Sequence, residues 1–133
     1  MRQLSLFEEH RDAATRRTLD PTSAALLERF RTQRLAEGAH PHSVQREISQ
    51  LRSLVREAGA DDYPLPLARF IGDLARVAQA LAEPRVPIAR ATGRARLIAI
   101  QRFIRIIGPT LNRNAEHDLA HLDSLLPGQH SAS

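Results

Sequence analysis

Between Pro21 and Leu126 apolar residues return every three or four positions, in blocks parted by glycine and proline, and each block predicts an amphipathic helix. The first block holds Leu26, Leu27 and Phe30, with Leu35 near its end. Asp20 opens it as N-cap, Pro21 takes the first helical position, and Gly38 ends it. The second is framed by Pro41 and Gly59, with Gly59 placed as a left-handed stop. At about 100° per residue, Val44, Ile48, Leu51, Leu54, Val55 and Ala58 share one side, and Gln45, Ser49, Arg52, Ser53 and Arg56 share the other. So short a connection predicts that these two helices form a tight hairpin. After a loop at residues 60–66, a third helix is expected from near Pro66. Leu67, Phe70, Ile71, Leu74, Val77, Ala78 and Leu81 keep one rhythm there through four turns, to a stop at Pro84. The fourth starts between Ala89 and Thr92 and stops at Gly108-Pro109. Leu97, Ile100, Phe103, Ile104 and Ile107 line its apolar side. Arg90, Arg94, Gln101 and Arg105 line the other, with Arg102 at the edge. Ile98 and Ile106 fall on or beside the basic side, either covered by a neighbouring helix or open to a partner. A short fifth helix over Ala115–Leu126 carries Leu119, Leu122, Leu125 and Leu126. The expected fold is all-α: one compact bundle of four main helices and a short fifth over residues 20–127, with a flexible arm at 1–19 and a tail at 128–133.

Composition agrees with one helical domain. A chain of 133 residues with 42% apolar but only 4% aromatic content builds its core from Leu, Ile, Val and Ala. Without cysteine it has neither disulfides nor thiolate metal ligands. No apolar run approaches the roughly 20 residues of a membrane span and no apolar leader opens the chain, so a soluble, cytoplasmic protein is expected. His117 and His121 stand i, i+4 beside Glu116 and Asp118, but no third ligand has matching spacing, so neither a metal nor any other cofactor is expected. Charge changes the picture more. All 19 basic residues are arginine, and the net charge is +4. Between Pro84 and Ala115 lie Arg85, Arg90, Arg94, Arg96, Arg102, Arg105 and Arg113 with no Asp or Glu among them, so the rest of the chain is net acidic. Charge segregated in this way is the footprint of a surface that binds a polyanion.

Two stretches together resemble a known family. Gly38-Ala-His-Pro-His-Ser-Val, followed by a helix spaced Ile48, Leu51, Leu54/Val55, resembles the G-x-S-P-x-T-V approach and second helix of the core-binding domain of tyrosine recombinases, the phage-integrase type. Arg94-Ala-Arg-Leu-Ile-Ala-Ile-Gln-Arg-Phe103 resembles that domain's fourth helix. The resemblance runs from about residue 22 to 127. It implies a SAM-like helical domain that clamps duplex DNA with its second and fourth helices across the major groove, in the service of DNA integration or recombination. Those are the two helices with basic, hydrogen-bonding outward faces, so the residues expected to meet DNA are Gln45, Arg52, Arg56, Arg94, Gln101 and Arg105, with Ser49 and Arg90 as secondary candidates. Arginine pairs bidentately with guanine or phosphate, and glutamine with adenine. His40 stands where a capping Ser is usual, and Glu47 where Tyr is common, so one contact at Glu47 must differ. In the family a tyrosine nucleophile on a separate C-terminal domain cuts the DNA. The single tyrosine of this chain, Tyr63, lies in a Pro-rich loop without a basic cluster. The expectation is therefore a non-catalytic DNA-binding domain, either an accessory factor of a mobile element or the N-terminal piece of a recombinase, with a catalytic chain as a further partner.

Near the N-terminus, Gln3-Leu4-Ser5-Leu6-Phe7 resembles the pentapeptide with which many bacterial replication and repair proteins bind the sliding clamp. Two leucines and a phenylalanine suit a small apolar pocket, and Gln3 sets the register by hydrogen bonds. The same apolar residues could instead fold back on the domain. Two rival readings follow: an adaptor that reaches DNA only through the clamp, and a helical bundle that binds only protein.

Overall fold

The computed structural model describes residues 21–59 and 66–127. These form six α-helices: α1 (Pro21–Ala36), α2 (Pro41–Ala58), α3 (Leu67–Gly72), α4 (Leu74–Ala82), α5 (Arg90–Ile107) and α6 (Ala115–Leu125), with a 3-10 turn at Pro109–Leu111 between the last two. No strand occurs among the described residues. The expected Asp20 cap, the arm at 1–19, most of the loop at 60–66 and the tail at 128–133 lie outside them.

The α1–α2 hairpin turns where the sequence places it. Gly38 takes φ +91°, the Gly38 N–H donates to the Leu35 carbonyl and the Ala39 N–H to the Arg34 carbonyl, so two carbonyls left open by the end of α1 are satisfied in a Schellman turn. His40 then caps α2, its Nδ1 accepting the His42 N–H at 3.1 Å. An imidazole fills the place of the usual hydroxyl. Gly59 is not the left-handed stop expected of it. With φ −100° and ψ 15° it only prolongs the last turn, its N–H donating to the Val55 carbonyl.

The third helix of the sequence pattern is two helices. Gly72 is a poor helix former, and Asp73 competes for backbone donors, so the chain breaks there. Asp73 leaves helical geometry and its carboxylate accepts the Arg76 N–H, capping α4. The apolar rhythm survives the break, because Leu67, Phe70, Ile71, Leu74, Val77 and Ala78 are all buried. Ser23 of α1 explains how so short a helix as α3 starts. Pro66 offers no side-chain cap, and the buried Ser23 hydroxyl accepts the Leu67 N–H at 2.8 Å instead.

The core gathers around α5, which packs against α1, α2, α4 and α6. Phe103 meets Phe30 with ring centroids 5.7 Å apart, and Ile100, Ile104 and Ile107 are fully enclosed. Such an aromatic pair adds about 0.5–1.5 kcal/mol beyond the area it buries. Ile106 packs partly against this core, whereas Ile98 stays 37% exposed. Asn114 caps α6 by accepting the His117 N–H, and Leu122 and Leu126 close the far side.

Two glycines of α5 and its end should respond oppositely to alanine. At Gly108 a Cβ would stand 2.5 Å from the Ile104 carbonyl oxygen, whereas at Gly93 the nearest atom, Ile88 Cδ1, is 3.8 Å away. Denaturant unfolding should show Gly108→Ala destabilised by about 1–3 kcal/mol. Gly93→Ala should be stabilised by about 0.5–1 kcal/mol.

Candidate nucleic-acid interface

Helices α2 and α5 carry the outward strips expected to meet DNA, and three contacts fix how they lie. Glu57, near the end of α2, accepts the Arg85 backbone N–H just before α5. Glu47 accepts from Arg102, and Glu37, just before α2, accepts from Arg105. Rising numbers on one helix meet falling numbers on the other, so the pair is antiparallel. Arg52 and Arg56 therefore share one end of the pair with Arg90 and Arg94. Gln45 shares the other end with Arg105.

At the second end most of the charges are paired. Arg105 grips Glu37 with both terminal nitrogens, at 3.1 and 3.2 Å. Arg34 reaches the same carboxylate at 3.2 Å and also binds Glu47 through Nε at 2.9 Å and Nη2 at 3.0 Å. Arg102 adds Nη1 to Glu47 at 2.6 Å. The result is a chain of alternating charges, Arg105–Glu37–Arg34–Glu47–Arg102, that ties α5 to the end of α1 and to α2. Glu47 is 7% exposed, on the inward side of α2. There a carboxylate stays charged only with such partners. The hydrogen bond to Glu47 is the chief reason that Arg34 is held more firmly in its charged form than usual. The bonds from Arg105 hold the Glu37 carboxyl down, at a pKa of about 2. Gln45 is engaged as well, its Oε1 accepting from Arg31 at 3.0 Å. Gln101 is half-buried at a surface hollow of about 430 Å³ that it shares with Ile98, Arg102, Arg105 and Leu119.

The first end is open. Arg52, Arg56, Arg90 and Arg94 are exposed, and no hydrogen bond or ion pair joins their side chains to any described residue. Ser49 is exposed one turn away on α2. Arg96, half-buried on α5, has its Nε and Nη1 shut from solvent with no hydrogen-bond partner among the described residues. The sequence stretch from Arg85 to Arg113 is thus less basic in three dimensions than in one. Acids from other segments meet Arg102, Arg105 and, through Asp118, Arg113.

Sequence reasoning missed Arg34, Glu37, Arg31 and Arg46. The signal for the first two was Glu47 itself, a charged residue between Val44, Ile48 and Leu51, which demands cations from neighbouring helices. Arg46 is exposed on the outer arc of α2 and carries no ion pair among the described residues. The rings of His117 and His121 stack with centroids 6.4 Å apart, and no group of three His, Cys, Asp or Glu residues placed to hold a metal occurs among the described residues. No described helix is long and apolar enough to cross a membrane. In comparisons with known proteins, the chain matches no family model, no curated protein and no solved structure.

Two outcomes test the charge chain. Glu47→Gln leaves Arg34 and Arg102 facing a neutral amide. With Arg102 42% exposed to solvent, the loss of stability should be about 2–3 kcal/mol by denaturant unfolding. The Glu37 pKa is depressed from 4.5 in the unfolded chain to about 2 in the folded one. Its contribution is therefore complete above about 4.5 and lost as the pH falls toward 2. Unfolding free energies measured across that window should fall more steeply for wild type than for Glu37→Gln.

Proposed function

We propose that the chain is a non-catalytic double-stranded DNA-binding domain of the tyrosine recombinase core-binding kind, SAM-like in fold, acting in DNA integration or recombination. Helices α2 and α5 would lie across the major groove. The observation that carries this reading is the set of four exposed arginines, Arg52, Arg56, Arg90 and Arg94, gathered at one end of an antiparallel helix pair with no ion pair to any described residue. Guanidinium groups left unpaired on two adjacent helices suit phosphates and guanine edges spaced along a groove. Support comes also from the resemblance of the Gly38–Val44 and Arg94–Phe103 stretches, whose helices are the two that pair.

The charge chain sharpens the choice of contacts. Arg105 and Gln45 enter the DNA set only by leaving Glu37 and Arg31, so they contribute less than the four arginines that are unpaired among the described residues. Ser49 and Gln101 serve as hydrogen-bonding neighbours.

Binding to random-sequence duplex measured across a salt series tests the proposal. Wild type should weaken steeply with salt. Arg52→Ala/Arg56→Ala/Arg90→Ala/Arg94→Ala, confirmed folded by circular dichroism, should lose affinity, with the slope reduced by about 0.9 for each phosphate contact removed. Arg105→Ala alone should change affinity less than Arg94→Ala, and Glu37→Gln should raise it by freeing Arg105. No affinity for duplex even at low salt would end the DNA reading.

A further inference from the structure

A groove of about 580 Å³ opens where the end of α4, the connection that follows it, the start of α5 and the end of α6 converge. Leu81, Ile88, Gly93, Leu97 and Leu126 form its apolar floor, and Arg90 and Arg94 stand at its rim. Leu81, Ile88 and Leu97 are only partly covered by the domain itself. The first turn of α5 contains no acid, and its N-cap, Ala89, has no side chain to offer the open N–H groups. The surface thus asks for aliphatic or aromatic side chains followed closely by carboxylates.

We propose that the occupant is the chain's own segment Leu4–Glu9, with Leu4, Leu6 and Phe7 on the apolar floor and Glu8 and Glu9 against Arg90 and Arg94. Three observations select it. Outside the described residues, the stretch at 128–133 is Gly-Gln-His-Ser-Ala-Ser and has neither large apolar nor acidic side chains. Residues 60–65 are tied at both ends between α2 and α3. Only Leu-Ser-Leu-Phe-Glu-Glu has the required order of apolar and acidic groups. Reach is ample, because residues 8–20 between Phe7 and α1 extend to about 43 Å, against a radius of gyration of about 13 Å for a domain of this size. The seat does not depend on the DNA reading. Where both hold, the segment and a polyanion compete for Arg90 and Arg94, and a seated segment is closed to any other partner.

The chain has no cysteine, so Arg2→Cys gives the full-length protein a single site for a nitroxide label. Amide resonances of Ile88, Gly93, Leu97 and Leu126 should broaden selectively, without DNA present and independently of protein concentration. Leu6→Asp/Phe7→Asp in the labelled chain should abolish the effect. Arg90→Glu/Arg94→Glu should weaken it, and adding Glu8→Arg/Glu9→Arg to that variant should restore it. Absent or evenly spread broadening would overturn the proposal. So would broadening that vanishes on dilution, which would place a second copy's segment in the groove.

Discussion

Glu47 is the constraint on which the rest of the charge arrangement depends. It sits on the inward side of α2 beside Val44, Ile48 and Leu51, where an isolated carboxylate would cost several kcal/mol to desolvate. Arg34 and Arg102 make its charge tolerable, and in doing so they draw the end of α1 and the C-terminal half of α5 onto the start of α2. Glu37 then follows, because Arg34 and Arg105 face it once those elements are in place. Nonpolar packing supplies most of the adhesion in this bundle, with Phe30 and Phe103 at its centre. The ion chain adds geometry, since guanidinium and carboxylate meet only in a narrow range of orientations.

An arginine that holds the fold is not equally available to a ligand. Arg102 and Arg105 lie among seven arginines in an acid-free stretch, yet each meets a carboxylate donated by a distant segment. Arg52, Arg56, Arg90 and Arg94 meet none among the described residues. The acids therefore decide which arginines are held within the fold and which keep their guanidinium groups open.

Much of the fold was legible in the sequence because its signals are local. Gly38 and Pro41 mark the hairpin, Gly108-Pro109 ends α5, and the apolar period predicts burial along α2 and α5. The break at Asp73 was hidden because the apolar rhythm continues through it, and only the Gly72-Asp73 pair announced it. Gly59 misled because a glycine past a helix permits a left-handed turn without requiring one. The candidate site was legible as a set of outward positions. Its division into engaged and free members was not, since Arg105 and Gln45 are claimed by Glu37 and Arg31, which lie 68 and 14 positions away in the sequence. Periodicity shows which way a side chain faces on its own helix. It is silent on what stands opposite.

The antiparallel pairing of α2 and α5, largely ion-paired at one end and with four arginines unpaired among the described residues at the other, distributes available positive charge unevenly along those helices. A body charged so unevenly experiences a torque as well as an attraction near a line of negative charge. On the DNA reading proposed above, the end with the unpaired arginines would turn forward before contact, so fewer encounters would be wasted in wrong orientations. The benefit would lie in the speed of productive association more than in the lifetime of the complex, and added salt, by shortening the range of the field, would remove it first.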